Sequence, residues 1–285
     1  MNKVSKKLKI FFIIVLVVGI IIVFCIWQND SVIITNINYT NNKIPNEFNE
    51  YKIAQISDLH NKKFGKNQKY LIRKIKEVSP DIIVVTGDLV DRRTYNLEVA
   101  MELINEAIKI APIYYVSGNH EAWSGKYNEI SQRLTNSGVI ILDDTFAQIS
   151  KNNYKIAIMG LSDPGFVTSQ YSNETNTSKL EENIKTLSNN EEFKILLSHR
   201  PELFDIYVNN KLDLVFTGHA HGGQIRLPFI GAIIAPNQGF FPKYTSGEYK
   251  KDNTSMIVNR GLGNSTFPIR IFNRPEIVVV TMKTK

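Results

Sequence analysis

Residues 51–60 and 81–91 read YKIAQISDLH and DIIVVTGDLVD, and both stretches follow one pattern. Each begins with a short apolar run rich in β-branched residues, which is typical of a buried strand, and each ends in polar residues that include aspartate. Three later stretches have a similar form: residues 113–121 (IYYVSGNHE), 193–200 (FKILLSHR) and 212–221 (LDLVFTGHAH). The five candidate strands therefore carry polar side chains to their carboxyl ends, where an open α/β sheet binds its ligands.

Helical patterns alternate with these strands. They predict helices at residues 69–78, 97–110 and 128–136, with another beginning near Pro201. Shorter apolar runs predict further strands at residues 32–38, 139–142, 148–149 and 155–160. Strands that alternate with helices indicate an α/β core. The polar stretch 168–178 has the composition of a surface loop, and the Gly- and Pro-rich chain from Gln224 onward is expected to be mostly β.

The N-terminal region contains one long apolar run. Residues 10–27 read IFFIIVLVVGIIIVFCIW, carry no charge, and are just long enough for a helix to cross a hydrocarbon core. Residues 1–9 form a basic tail with four lysines. The positive-inside rule then predicts a single-pass signal anchor in the cell membrane, with the tail cytoplasmic and the following domain extracytoplasmic. A cleaved signal peptide is the alternative, but its apolar region is usually only about 7–15 residues long and residues 28–30 offer no small-x-small cleavage motif.

The rest of the composition fits one catalytic domain at residues 50–285, preceded by a linker with a possible first strand at residues 28–49. Hydrophobic residues make up 43% of the 285 positions, which is close to normal for a globular protein, and the single cysteine excludes an intrachain disulfide. The formal charge is +7, but four of these charges lie in residues 1–9 and leave only +3 for the rest. So small an excess gives little support for a nucleic-acid-binding groove.

The histidines of this chain all fall at candidate strand ends. They are His60, His120, His199, His219 and His221. Their joint arrangement with aspartates predicts a dinuclear metal site. Because two close cations repel each other, they need a shared anionic ligand, and Asp88 is the obvious one. Imidazole and amide ligands fill the other positions without adding negative charge, a mixture that suits Mn, Fe or Zn, and two such metals promote displacement at phosphorus.

The motifs, in this order, resemble those of the calcineurin-like metallophosphoesterase superfamily. The family pattern is Asp-x-His, Gly-Asp-x-x-Asp, Gly-Asn-His-Glu, a lone His and Gly-His-x-His, and all five blocks are present between Asp58 and His221. The resemblance implies a four-layer α/β/β/α sandwich with two metals at one edge of its two sheets. The detailed motifs behind one membrane segment look most like a bacterial branch of membrane-anchored phosphodiesterases.

The resemblance also implies a role for each matching residue. One metal would be held by Asp58, His60 and His221, the other by Asn119, His199 and His219, with Asp88 as the bridge. His120 would be the catalytic residue that protonates the leaving oxygen or stabilises the phosphoryl charge. Asp91 would orient His120.

We therefore expect a metal-dependent hydrolase of a phosphodiester, phosphomonoester or pyrophosphate bond. The anchor favours a phosphorylated membrane lipid or another cell-envelope substrate. Apolar residues after the last motif form an acyl-binding lip, dip into the membrane, or belong to ordinary core and hairpin packing. Arg200 and Arg226 either bind a second phosphate or form structural ion pairs. A membrane-tethered metal-binding domain without catalysis and a nuclease are the alternative functions, and the oligomeric state stays open.

Overall fold

The computed structural model describes residues 6–168, 177–187, 192–264 and 268–285. Its helices are α1 (Lys6–Asp30), α2 (Lys69–Val78), α3 (Leu97–Ala107), α4 (Asn119–Trp123), α5 (Tyr127–Asn136), α6 (Ser178–Leu187) and α7 (Phe204–Asn209). Its strands are β1 (Ile33–Asn41), β2 (Lys52–Ile56), β3 (Ile82–Thr86), β4 (Ile113–Val116), β5 (Ile140–Ile141), β6 (Thr145–Lys151), β7 (Tyr154–Gly160), β8 (Lys194–Leu197), β9 (Leu214–Thr217), β10 (Arg226–Leu227), β11 (Gly231–Ala232), β12 (Ile234–Ala235), β13 (Gly239–Phe240), β14 (Gly247–Lys251), β15 (Thr254–Val258) and β16 (Glu276–Thr284).

Twelve of the strands form two six-stranded sheets. The first has the order β1-β16-β2-β3-β4-β5, and the second has the order β14-β15-β9-β8-β7-β6. Strands β2, β3, β4 and β5 are parallel to one another, and so are β15, β9, β8 and β7. Parallel strands bring their carboxyl ends to one edge, so each sheet presents the loops that follow its strands on a single side.

The two sheets pack face to face, and helices cover their outer faces. Alternation along β3 shows the arrangement, because Ile82 and Val84 point into the core between the sheets while Ile83 and Val85 point into the core beneath the helices. The helical core of the first sheet includes side chains of α2, α3 and α5, and that of the second sheet includes side chains of α6 and α7. The predicted four-layer α/β/β/α sandwich is confirmed.

The predicted elements differ from the observed ones mainly at their ends. Strand β6 spans seven residues rather than the predicted 148–149, and α3 ends at Ala107 rather than at residue 110. Helices α4 and α6 were not predicted from the sequence. Most of the predicted 168–178 loop and residues 1–5 of the basic tail lie outside the described residues.

Helix α1 contains the whole predicted span of residues 10–27. It has 25 residues, a mean hydropathy of 3.4 in its most apolar window, and no burial of that window against the rest of the protein. At 1.5 Å per residue it is about 37 Å long, which exceeds the hydrocarbon core of a bilayer. The helix is thus long and apolar enough to anchor the chain in a membrane. After its last turn, β1 pairs in parallel with β16 and extends the first sheet.

Candidate metal centre

Five strand ends deliver the residues of the candidate site. Loops after β2, β3 and β4 come from the first sheet, and loops after β8 and β9 come from the second. The seven predicted metal ligands follow these strand ends, with Asn119 at the start of α4, and all are buried: Asp58, His60, Asp88, Asn119, His199, His219 and His221. A buried hydrogen bond joins the two sheets near this edge, because the Gln55 side chain of β2 donates to the carbonyl oxygen of Thr217 of β9 at 2.8 Å.

One group of donor atoms comes from Asp58, His60 and His221. The Nε2 atoms of His60 and His221 are 3.1 Å apart, and Asp58 Oδ1 lies 3.3 Å from His221 Nε2 and 3.9 Å from His60 Nε2. All three side chains are buried, so the atoms face one another away from water. This group matches the predicted ligand set of one metal.

A second group comes from Asn119, His199 and His219. His199 Nε2 lies 3.1 Å from Asn119 Oδ1 and 3.1 Å from His219 Nδ1. The opposite nitrogens of the two rings have polar partners, because His199 Nδ1 is 2.7 Å from the carbonyl oxygen of Thr86 and His219 Nε2 is 2.8 Å from Asn237 Oδ1. The Thr86 carbonyl can only accept, so His199 Nδ1 carries a proton and His199 Nε2 is the nitrogen available as a ligand. His219 Nε2 also lies 3.0 Å from the donor Arg200 Nη1. Asn237 does not belong to any of the sequence motifs described above.

Asp88 lies between the two groups. Its Oδ2 atom is 3.4 Å from His60 Nε2 and 3.3 Å from His199 Nε2, while its Oδ1 atom accepts a hydrogen bond from the His120 backbone at 2.8 Å. One carboxylate oxygen is therefore shared by both donor groups. The donor set of carboxylate, amide and imidazole groups fits two divalent cations bridged by Asp88.

Burial and opposite charges shift the pKa values of the site strongly. Burial alone would lower the pKa of His60 and His199, but the neighbouring carboxylates outweigh burial and raise the pKa to about 9 and about 10. Burial would raise the pKa of Asp88, but the imidazoles around it hold that pKa well below its usual range. Without cations, two imidazolium groups thus balance the buried carboxylates.

The backbone of the site is held in an uncommon conformation. Five of the seven candidate ligands have φ between 45° and 64°, in the left-handed region that side chains other than glycine rarely occupy: Asp58, His60, Asp88, His219 and His221. Glycines allow the loops to approach closely. A Cβ atom on Gly218 would lie 2.5 Å from Asp58 Oδ2, and one on Gly118 would lie 2.3 Å from Asp88 Oδ1. Strain of this kind is retained where function requires the geometry.

Glu121 supports two ligand loops, a role that the sequence motifs do not predict. Its carboxylate accepts hydrogen bonds from the backbone of Asp88 and Gly118 at 2.8 Å each, and from Val90 at 3.2 Å. Because the side chain is fully buried, it binds the loop after β3 to the start of α4. Its position in Gly-Asn-His-Glu was the only signal available in the sequence.

His120 adjoins the ligands without belonging to either group. Its ring lies edge-on to the His60 ring at a centroid distance of 4.4 Å, and its Nδ1 atom accepts a hydrogen bond from the Arg92 backbone at 3.1 Å. Asp91 Oδ1 is 3.9 Å from His120 Nδ1, beyond hydrogen-bonding distance, and the Asp91 carboxylate binds Arg93 instead. The proposed orienting role of Asp91 therefore stays a prediction.

The two arginines considered for a second phosphate have partners within the protein. Arg200 forms a buried ion pair with Asp163, at 2.6 Å from Nε to Oδ2 and 2.9 Å from Nη2 to Oδ1. Its third nitrogen, Nη1, is 2.8 Å from Asn237 Oδ1. Arg226 donates to the carbonyl oxygen of Gly222 at 2.9 Å and to Thr245 at 3.1 Å. The ion-pair interpretation thus describes Arg200, whereas Arg226 braces the loop after β9.

Comparisons with known proteins find relatives of this sequence and a similar fold. A sequence model of the calcineurin-like phosphoesterase family matches residues 51–223, which is more than half of the chain. The uncharacterized metallophosphoesterase YkuE of Bacillus subtilis (strain 168) is 33% identical over 249 residues, covering 85% of this chain and 82% of its own. The phosphodiesterase YaeI of Escherichia coli (strain K12) is 25% identical over 239 residues, covering 81% and 82%. TT1561 of Thermus thermophilus shares the fold with a TM-score of 0.51 at 12% identity, over 74% of this chain and 90% of that one.

Cation binding should release protons from this site. At neutral pH the raised pKa values keep His60 and His199 protonated, so cations must displace about two protons per chain, and the apparent Mn²⁺ affinity should increase as the pH rises from about 6 to about 8. Calorimetry in two buffers of different ionisation enthalpy measures the release. The His60→Gln variant, with one imidazole fewer, should release about one proton. Binding without any proton release would contradict the charge balance described above.

Proposed function

Because this chain belongs to the calcineurin-like phosphoesterase family, we propose that it hydrolyses a phosphate ester or anhydride in a membrane lipid or another cell-envelope molecule, using two divalent cations. The observation that carries the two-metal part is the shared position of Asp88 Oδ2 between two buried groups of ligand atoms. Mn, Fe and Zn all suit this set of oxygen and nitrogen donors.

The candidate ligands form two sets, one for each cation, with one shared residue. Asp58, His60 and His221 would hold one cation, Asn119, His199 and His219 would hold the other, and Asp88 would contact both. Such a pair of cations supplies Lewis-acid activation of a water nucleophile and of the phosphoryl oxygens. Closely packed walls exclude bulk water from the ligands, since every one of these side chains is buried.

His120 would supply a hydrogen-bond donor beside the candidate ligands. Its Nδ1 atom already accepts the Arg92 N–H, so the proton of the neutral ring lies on Nε2. Burial lowers the pKa of His120 to about 4, and the ring is therefore neutral at pH 7. A neutral ring with this tautomer can donate a hydrogen bond to a phosphoryl or leaving-group oxygen as negative charge develops there. This geometry favours charge stabilisation over proton donation from an imidazolium.

The membrane anchor supports the substrate class. Helix α1 carries an exposed apolar surface along its length, and four lysines precede that surface in the sequence. The arrangement favours a cytoplasmic N-terminus and an extracytoplasmic catalytic domain. An enzyme tethered there meets lipids and other envelope molecules at far higher local concentration than soluble metabolites.

Replacing His120 should separate metal binding from catalysis. We expect His120→Ala to lower kcat for bis-p-nitrophenyl phosphate with Mn²⁺ by about 10²–10³, because a donor to the developing charge is lost. Its Mn²⁺ content should stay at the wild-type level, since the side chain lies outside both ligand groups. His60→Ala is the matched control and should lose metal and activity together. Full activity in His120→Ala would remove His120 from the mechanism.

Protease accessibility should reveal the orientation of the domain. In intact cells whose outer layer admits protease, the domain after α1 should be degraded while a cytoplasmic marker protein survives. Complete protection of the domain, with degradation only after the cell membrane is permeabilised, would place it on the cytoplasmic side.

A further inference from the structure

The end of helix α1 is bound to the loop that precedes β16. Gln28 is buried and its Oε1 atom accepts a hydrogen bond from the Asn273 backbone at 3.2 Å. Asn29 Oδ1 accepts from the Arg270 backbone at 3.1 Å. The Arg274 guanidinium lies 4.7 Å from the centre of the Trp27 ring. These contacts hold the end of α1 against this loop and fix which face of the domain adjoins the helix.

The same loop is bound to the metal centre. Asn273 Nδ2 donates to the carbonyl oxygen of His221 at 2.7 Å and to that of Gln224 at 3.1 Å. The Arg226 backbone donates to Ile271 at 3.0 Å, which joins strand β10 to the loop. One short segment, residues 270–274, thus holds the candidate ligand His221, the start of β10 and the end of α1.

Two small hairpins extend from this region. Strands β10 and β11 form the first hairpin and β12 and β13 form the second. Ile233 joins them, because its backbone N–H donates to Ile225 at 3.1 Å and its carbonyl oxygen accepts from Phe241 at 2.9 Å. Six of the large apolar side chains on the hairpins and the neighbouring loop are 40% exposed or more, and we call them the apolar rim: Leu227, Phe229, Ile230, Phe240, Phe241 and Phe272.

The backbone of the apolar rim is unfavourable for the residues it carries. Phe229, Phe241 and Phe272 have φ values of 68°, 52° and 50°, a region that bulky residues rarely adopt. Phe229 is fully exposed, and Phe241 is 70% exposed. Neither ring gains enough contact within the protein to explain this conformation. A cluster of exposed apolar side chains of this kind marks an interaction surface.

We propose that the apolar rim inserts into the membrane leaflet from which α1 emerges, so that the metal centre acts on the phosphate of a lipid that remains in the bilayer. This deepens the proposed function and rests on it. Phe272 packs against Phe24 of α1 with ring centres 5.5 Å apart. Phe24 precedes Trp27 by three residues, or about 4.5 Å along the helix. If Trp27 lies at the interface, Phe272 therefore reaches the depth of the apolar span.

The charges around the apolar rim also fit a membrane surface. Arg274 lies against the Trp27 ring, and Lys243 Nζ lies 4.8 Å from the centre of the Tyr244 ring, three residues after Phe241 in the sequence. Aromatic rings flanked by cations are typical of the interfacial zone, where lipid phosphates lie above the acyl chains. The nearby anchor selects the bilayer over a protein partner as the occupant of this surface.

A fluorescent label tests the contact independently of catalysis. The full chain carrying Cys25→Ser and Phe229→Cys is labelled with a nitrobenzoxadiazole dye and reconstituted into vesicles of phosphatidylcholine and phosphatidylglycerol. The matched control carries Cys25→Ser and Tyr154→Cys. Tyr154 is an exposed aromatic residue at the amino end of β7, whereas the ligand loops follow the carboxyl ends of the neighbouring parallel strands. We expect blue-shifted emission and quenching by spin-labelled acyl chains at position 229 alone. Aqueous emission at both positions would overturn the proposal.

Activity measurements then test the consequence for substrates. The triple variant Phe229→Ser, Phe240→Ser and Phe241→Ser should hydrolyse a vesicle-embedded lipid phosphodiester or pyrophosphate at least about tenfold more slowly, because its phosphate is no longer positioned at the site. Hydrolysis of bis-p-nitrophenyl phosphate should be unchanged. An equal loss on both substrates, or no loss on either, would overturn the proposal. If the wild-type protein cleaves the soluble diester but no lipid, the proposed substrate class is wrong. The fluorescent label at position 229 tests the membrane contact separately from that result.

Discussion

The electrostatic cost of bringing two cations together is the constraint on which the rest of the structure depends. Two like charges a few ångströms apart in a buried site repel strongly unless an anion lies between them. In the proposed centre, Asp88 would meet this requirement with one oxygen, which lies within 3.4 Å of a candidate ligand nitrogen on each side. The remaining ligands must come from both sides of that carboxylate, and a pair of facing sheets that end at a common edge can supply them.

Stabilisation of this edge explains several features that have no direct chemical role. The ligand loops have left-handed backbone conformations, and glycines leave room for Asp58 and Asp88. Glu121 compensates by binding three backbone N–H groups of those loops, and Thr86 and Asn237 fix the ring orientations of the two histidines in the second group. The strain and the bonds that offset it together preorganise the ligand atoms before any cation binds.

The sequence predicted the parts of the site that depend on local patterns. Polar motifs after apolar runs located all seven candidate ligands, and the apolar run at residues 10–27 predicted helix α1. Features that depend on distant pairing were not predictable. The bond between Gln28 and Asn273 joins positions 245 residues apart, and the Arg200–Asp163 pair joins residues from separate loops. Helix α6 was missed because a polar stretch precedes it, and Asn237 lies in a loop without any motif.

The most direct test of the shared carboxylate is the electron paramagnetic resonance spectrum of the full chain loaded with Mn²⁺, together with its metal content. A shared Asp88 predicts about two ions per chain and an exchange-coupled spectrum, because a bridging ligand connects the two spins. One ion per chain, or two ions with the hyperfine pattern of isolated Mn²⁺, would contradict a dinuclear centre built on Asp88.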